Sequence, residues 1–373
     1  MMRVSLISCL AAFALAHSVD AAAWADDAKP ILKKEDKLTQ DDPKDKVLRD
    51  SYSKAYTIKF EEGKSYRIDM VSAQVDSLLR LENANGQQLA LDDDFGGFPH
   101  ARIIFQPKET GEYKIIATTF VKNTTGAFTL TVLRAGPVDL LELRAQNIAK
   151  ASPAERNATI NDLKKHFQEL GGKLTSREAG LAMNVTRTLE MSAPKQAIQV
   201  YKDYGKLFAA AGDPKVAGIG RMFEGCARRI GLVGNTMEVK GTTLEGKEID
   251  LAKMKGKVVL VDFWATWRGP CIGEIPAMKK MYETYHDRGF EILAVSVDQG
   301  KDAPTKFMEE RKLPWPCIHD DRTSGKSLSD YYGVVAIPLP ILVARDGKVV
   351  SLNARGPELE RLLEQHIGPQ EKK

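Results

Sequence analysis

The stretch that decides the fold is residues 257–276, Lys-Val-Val-Leu-Val-Asp-Phe-Trp-Ala-Thr-Trp-Arg-Gly-Pro-Cys-Ile-Gly-Glu-Ile-Pro. Residues 258–263 are β-branched and almost wholly apolar, which predicts a strand buried on both faces of an α/β sheet. Gly269 and Pro270 end that strand, and proline suits the first turn of a helix. Cys271 therefore lies at a helix N-terminus, where the helix dipole and unpaired N–H groups stabilise a thiolate.

Residues 261–271 resemble the active-site segment of the thioredoxin superfamily, which ends in Trp-Cys-Gly-Pro-Cys. The variant Phe-Trp-Ala-Thr-Trp, followed by Glu274 and Pro276, is most similar to the TlpA/ResA type of redoxin. Those proteins are extracytoplasmic thiol–disulfide oxidoreductases. The resemblance implies a thioredoxin-like domain over residues 232–373 and partners that are protein thiols, protein disulfides or extended peptides. It implies no cofactor and no metal.

The motif departs from this family at its attacking nucleophile. The first cysteine is Arg268 here, and only the second, Cys271, is kept. Dithiol exchange needs the first thiolate to attack a disulfide and the second thiol to resolve the mixed disulfide. At most, single-thiol redox chemistry at Cys271 remains.

Two hypotheses follow from this substitution, and whether the protein is an enzyme stays open between them. The first is a single-thiol oxidoreductase or peroxide scavenger that uses Cys271. The second is a non-catalytic module that binds extended peptide or protein on a thioredoxin fold. A cation next to a thiol favours the thiolate, so Arg268 is expected to lower the pKa of Cys271. A buried, inert Cys271 would favour the second hypothesis.

Two carboxylates near the motif match positions that matter in the family. In the family, a buried carboxylate beneath the second cysteine accepts the proton of that cysteine. Asp262 matches this carboxylate. Burying a carboxylate is costly unless it is satisfied, so we expect an internal ion pair between Asp262 and Arg268. Glu274 matches an acidic residue that tunes the active site in TlpA/ResA proteins. Its alternative interpretation is an exposed helix charge.

Residues 333–338, Gly-Val-Val-Ala-Ile-Pro, match the loop that carries the superfamily's cis-proline. The resemblance implies that the Ile337–Pro338 bond is cis and that this loop, together with Trp267, forms the substrate groove. Cys317 is the only other cysteine of the domain and a possible second thiol. A disulfide between Cys271 and Cys317 requires the two Cα atoms to lie within about 7 Å.

The first residues of the chain predict export. Residues 1–25 combine a positive Arg3, an apolar core and small residues at a cleavage site, as a signal peptide does. No other membrane segment occurs, so the mature protein is predicted to be periplasmic or extracellular. Its three remaining cysteines are an odd number, which argues against a disulfide framework. The net charge of +4 gives no case for nucleic-acid binding.

The predicted fold class is multidomain: an all-β sandwich, an α-helical region and an α/β thioredoxin fold. Residues 26–46 are charged and poor in large apolar side chains, and are expected to be a flexible leader. Residues 47–135 contain short alternating runs separated by turn signals, which predict an antiparallel sandwich. Residues 136–231 follow helical spacing and predict four or five helices that act as a spacer or docking module. Cys226 is expected to be a small buried apolar residue there.

Two segments of the predicted sandwich resemble bacterial pre-peptidase C-terminal (PPC) domains, which are small secreted β-sandwiches attached to many enzymes. They are residues 91–97, Leu-Asp-Asp-Asp-Phe-Gly-Gly, and residues 109–113, Glu-Thr-Gly-Glu-Tyr. The three adjacent carboxylates of Asp92, Asp93 and Asp94 have the oxygen ligands that Ca²⁺ prefers. The alternative is a solvated turn.

Overall fold

The structure is a computed structural model that describes residues 29–97, 99–321 and 327–368. The predicted signal peptide, residues 1–25, lies outside the described residues. The chain forms two compact units, and the boundary between them lies between Gly136 and Pro137.

The first unit is a β-sandwich of two four-stranded antiparallel sheets. In order across the sheets, the strands are β1-β8-β3-β6 and β2-β7-β4-β5. Aromatic and branched aliphatic side chains from both sheets form one core, which confirms the predicted sandwich. The strand bounds are β1 Leu32–Leu38, β2 Lys54–Phe60, β3 Tyr66–Val71, β4 Ser77–Asn83, β5 Gln88–Asp92, β6 Ala101–Phe105, β7 Gly111–Thr119 and β8 Gly126–Arg134.

The prediction that residues 26–46 form a flexible leader is wrong for residues 32–38, because they form strand β1. This charged strand, Leu-Lys-Lys-Glu-Asp-Lys-Leu, pairs antiparallel with β8 over its whole length. It is an edge strand, and charged side chains are common on edge strands because they discourage pairing with another chain. Leu38 is the one buried residue of β1. Main-chain hydrogen bonds to β8 order the segment, and amino-acid composition does not reveal such bonds.

A buried arginine orders the rest of the same segment. The guanidinium of Arg80, on β4, donates to Asp45 Oδ2 at 2.6 Å and to Glu82 Oε1 at 2.8 Å. The side chains of Arg80 and Asp45 are each 1% exposed. Asp45 Oδ1 also accepts from the main-chain N–H groups of Val47 and Leu48. These contacts hold the chain against β4, since a buried guanidinium needs charged partners.

The second unit begins with five helices, as predicted. Two of them start with a capping box: Ser152 and Glu155 at α2, and Thr175 and Glu178 at α3. Cys226 is buried on α5, as expected, and its thiol donates to the carbonyl of Gly333 at 3.4 Å. The helix bounds are α1 Pro137–Gln146, α2 Pro153–Leu170, α3 Ser176–Ser192, α4 Pro194–Ala209 and α5 Pro214–Ile230.

A thioredoxin-like α/β domain follows in the same unit. Its five-stranded sheet has the order β13-β12-β11-β14-β15, and β11 lies parallel to β12 and antiparallel to β14. All seven residues of β11 are buried, as the apolar run predicted. The elements are β9 Lys240–Thr242, β10 Glu248–Asp250, β11 Val258–Trp264, α6 Gly269–Tyr285, β12 Phe290–Ser296, α7 Asp302–Glu310, β13 Cys317–His319, α8 Leu328–Tyr331, β14 Leu339–Val343, β15 Val349–Ser351 and α9 Pro357–Ile367.

Helix α5 packs directly on the chain that leads into the predicted cis-proline loop. A Cβ atom on Gly225 would lie 2.5 Å from the nitrogen of Gly333, so the two backbones touch without side chains between them. Gly333 has a φ of +57°, which glycine adopts without strain. Arg228 donates to the carbonyl of Tyr331 and lies over its ring at 3.8 Å. The helical region therefore supports this loop.

Candidate functional site

A buried carboxylate holds the loop between β11 and α6. Asp298, two residues after β12, accepts from Thr266 Oγ1 at 2.6 Å and from the Thr266 main-chain N–H at 3.1 Å. Ser296 Oγ donates to the same carboxylate at 2.8 Å. Asp298 is not among the residues that were predicted for the site. A polar residue just after the carboxyl end of a buried parallel strand was the signal that could have found it.

Arg268 connects the loop between β11 and α6, here called the motif loop, to the loop that carries Pro338. The Ile337–Pro338 bond is cis, as predicted. Arg268 Nε donates to the main-chain carbonyl of Ile337 at 3.2 Å. Trp267, beside Arg268, is 63% exposed. The structure thus brings the predicted position of the lost nucleophile against the predicted groove.

Cys271 lies in the first turn of α6 but is only 3% exposed. Burial raises the pKa of its thiol to about 11, and the carboxyl groups of Asp262 and Glu274 act in the same direction. A hydrogen bond with the main chain of Ala265 and the charge of Arg268 lower this pKa by less. Arg268 lowers the pKa of Cys271, as expected, but burial outweighs the cation, so the thiol is not activated.

Asp262 does not pair with Arg268, so the expected ion pair is also wrong. Asp262 is 5% exposed on β11, where its register partner on β14 is Pro340. Within the described residues, Asp262 Oδ1 has no hydrogen-bond partner. Burial raises the pKa of Asp262 to about 7, and Glu274 raises it further. Arg268 turns to the Ile337 carbonyl at the surface instead.

Cys271 and Asp262 line the same small cavity. Its volume is about 10 Å³, and its lining includes Asp262, Trp264, Cys271, Ile275 and Met278. A space of this size holds about one water-sized sphere. It is too small to admit a disulfide or another substrate group to the thiol.

The C-terminal domain matches known thiol–disulfide proteins. The AhpC/TSA family model matches residues 233–352. The thiol-disulfide oxidoreductase ResA of Bacillus thuringiensis subsp. konkukian (strain 97-27) is 36% identical over 126 residues, which are 34% of this chain and 70% of that protein. The chain belongs to the ResA family. ResA of Bacillus cereus (strain ATCC 10987) matches with the same identity and coverage.

The two ResA matches confirm the predicted resemblance to ResA-type redoxins. Among solved structures, the thioredoxin domain of a thiol-disulfide oxidoreductase from Bacteroides vulgatus is 33% identical. It covers 36% of this chain and 97% of that one, with a TM-score of 0.34. The family model starts at residue 233, so the sandwich and the helices precede the matched region. The PPC resemblance of the sandwich stays a prediction.

In this ResA-family domain, Glu274 is a partly buried helix residue with a cationic partner. Its carboxylate lies 3.4 Å from Arg355 Nε, and its side chain is 25% exposed. Burial raises the pKa of Glu274, while Arg355 opposes that shift. Glu274 is therefore not a freely solvated charge. Its role in tuning the site stays a prediction.

Cys317 is a free thiol in the structure, as are Cys226 and Cys271, and all three are buried. Cys317 lies on β13, its thiol donates to the Ile318 carbonyl at 3.6 Å, and burial raises its pKa to about 12. The structure therefore holds Cys271 and Cys317 as separate thiols.

The acidic loop of the sandwich is organised as a turn. Asp92 Oδ2 accepts from the main-chain N–H groups of Phe95 and Arg102, each at 2.9 Å. Among the described residues, no group of three or more His, Cys, Asp or Glu side chains is arranged to hold a metal ion. The turn interpretation of residues 92–94 accounts for these contacts.

No helix in the described parts of the chain combines the length and the hydropathy that crossing a membrane requires.

Proposed function

We propose that this protein is an exported member of the ResA family that binds an extended segment of another protein and does not carry out two-cysteine exchange. The proposal rests on the observed states of two residues, Arg268 and Cys271. The first occupies the nucleophile position and is bonded to the Ile337 carbonyl. The second is 3% exposed.

The chemistry of the motif supports this proposal. A guanidinium is not a nucleophile at any physiological pH, so the first step of dithiol exchange has no attacking group. Cys271 has a pKa of about 11. At pH 7 the protonated thiol therefore predominates strongly over the thiolate, which is the reactive form.

The surface around the cis-proline supports binding of an extended segment. Trp267 offers an exposed aromatic face. The half-buried Ile337 and Pro338 present main-chain groups and apolar side chains beside it. Extended peptides bind to such exposed backbone by main-chain hydrogen bonds, and neighbouring pockets for side chains give specificity. The family resemblance implies the same use of this loop.

Single-thiol chemistry at Cys271 is the second candidate, and one observation favours it. Asp262 lines the same cavity as Cys271 and has a pKa of about 7, so it is matched to accept a proton near neutral pH. This function requires α6 or its preceding loop to open and expose the thiol.

Panning of a displayed library of cysteine-free nine-residue peptides on the full mature protein tests the proposed function. We expect specific peptides to be captured equally by the wild type and by Cys271→Ala, because binding does not use the thiol. Failure to capture any peptide, or loss of capture in Cys271→Ala, would contradict the proposal.

We also infer export from the signal-like residues 1–25. The test is N-terminal sequencing of the protein from fractionated cells. A mature chain that starts after the small residues near Ala23 or Ala25 and that leaves the cytoplasm agrees with export. A cytoplasmic chain that keeps its first residues contradicts it.

A further inference from the structure

We propose that the bound segment is acidic, and that Arg268 and the main-chain N–H of Ile337 together receive a carboxylate side chain of that segment. This inference rests on the proposed binding function and adds the chemical class of the partner. It follows from which polar groups around the cis-proline are already used and which are not.

Arg268 has donors to spare. Its Nε is used by the Ile337 carbonyl at 3.2 Å. Its two terminal nitrogens carry four further N–H groups. Among the residues that the structure describes, Arg268 forms no ion pair and no other side-chain hydrogen bond. The side chain is half-buried, so these donors are fixed near the protein surface and still reachable.

Ile337 contributes a donor but little acceptor capacity. Its carbonyl is occupied by Arg268. Within the described chain, its main-chain N–H makes no hydrogen bond. A peptide backbone offers donors and acceptors in equal number, whereas a carboxylate only accepts. A place where donors dominate therefore favours a carboxylate, and guanidinium–carboxylate contacts are among the strong hydrogen bonds of proteins.

The surrounding charges do not cancel this preference. Glu274, the nearest acidic side chain along α6, is paired with Arg355 at 3.4 Å. Asp262 is buried beneath the sheet surface and is 5% exposed. The first turn of α6 contains no acidic residue. Charge complementarity at this surface therefore points to an acidic partner, and Trp267 provides an apolar contact for the side chain next to the carboxylate.

The composition of the captured peptides tests this inference separately from the function on which it rests. We expect the pool selected by the wild type to be enriched in Asp and Glu at one position, and the pool selected by Arg268→Gln to lose that enrichment. Arg361→Gln is the control, because it removes an exposed arginine from α9 of the same domain. Peptides captured without acidic enrichment would overturn the inference and leave the binding function intact. If no peptide is captured, both fail.

A matched pair of peptides makes the test quantitative. The peptide with the highest enrichment is compared with its Glu→Gln or Asp→Asn version by fluorescence anisotropy. Loss of the carboxylate is expected to weaken binding to the wild type roughly fivefold to tenfold, and to leave binding to Arg268→Gln unchanged. Arg268→Lys should give an intermediate affinity because it keeps the charge but not the planar donor array. Equal affinities of the two peptides for the wild type would contradict the proposal.

Discussion

Arg268 Nε donates to the main-chain carbonyl of Ile337 at 3.2 Å, which joins the motif loop to the residue that precedes the cis-proline. Arg268 stands where the family resemblance implies an attacking cysteine, and it is bonded to the loop that we propose to bind peptide. In this proposal the arginine supplies a cation to the groove in place of a nucleophile.

Restoring the first cysteine should restore exchange chemistry. Arg268→Cys recreates Cys-Gly-Pro-Cys at the N-terminus of α6, where the helix dipole favours a thiolate. We expect insulin reduction at least about tenfold above the wild type, because an attacking thiol is then present. The double variant Arg268→Cys/Cys271→Ser is the control and should lose multiple turnover. A wild type as active as Arg268→Cys would contradict the account.

Asp262 should make stability fall as pH rises. Its pKa is about 7 in the folded protein, against 3.8 as the ordinary value. Between these two values the unfolded chain has lost the proton while the folded chain still holds it, so unfolding is favoured increasingly up to about pH 7. Below pH 3.8 the effect is absent.

Asp262→Asn removes this titration. Relative to the wild type, the variant should gain stability between pH 5 and pH 8, by several kcal/mol at most. Urea unfolding of both proteins at pH 5 and pH 8 measures the difference in unfolding free energy. The contributions of the other titratable groups cancel, because both proteins contain them. An internal ion pair with Arg268 would instead make Asp262→Asn less stable at pH 8.

The buried arginine of the sandwich should be costly to remove. Arg80→Ala leaves Asp45 and Glu82 as uncompensated buried carboxylates, and we expect a loss of about 3–5 kcal/mol in the unfolding free energy of the sandwich. Lys122→Ala is the control, because its ion pair with Asp50 is exposed and screened by solvent, so its loss should have a much smaller effect. Chemical denaturation measures both. Equal effects would show that Arg80 does not order residues 39–46.

The contact between α5 and the cis-proline loop should matter for both stability and binding. Gly225→Ala places a Cβ atom 2.5 Å from the nitrogen of Gly333 and 2.7 Å from the carbonyl oxygen of Asp330, so one backbone must move. We expect lower stability and weaker capture of the selected peptides.

Gly218→Ala is the matched control on the same helix. Its added Cβ atom meets only the Arg221 side chain at 3.6 Å. Replacing glycine in a helix by alanine adds up to about 1 kcal/mol of stability. If Gly225→Ala binds and unfolds like Gly218→Ala, the helical region does not support the groove.

Much of this fold is predictable because its signals are local. The apolar run of β11, the break at Gly269 and Pro270 and the helical spacing before residue 231 each act within a few residues. The cis bond before Pro338 followed from a resemblance over six residues. The family match then confirmed the domain that these patterns indicated.

The errors came from contacts between distant parts of the chain. The charges of β1 suggested a flexible leader, because composition does not report main-chain pairing with β8, about ninety residues away. Asp262 was predicted to be buried, but its burial did not reveal that Arg268 turns to the carbonyl of Ile337, 69 residues away in the chain. Asp298 acts through Thr266, which is 32 residues away in the chain. Spacing alone reveals none of these relationships.

Maleimide labelling of the folded protein, read by mass at each cysteine between pH 6 and pH 9, shows whether Cys271 is a buried thiol or an accessible thiolate. We predict that Cys271 reacts only after unfolding, together with Cys226 and Cys317, because all three thiols are buried. Fast labelling of native Cys271 with an apparent pKa below about 7.5 would reveal an activated thiolate and contradict the account. Single-thiol catalysis would then replace peptide binding as the best-supported function.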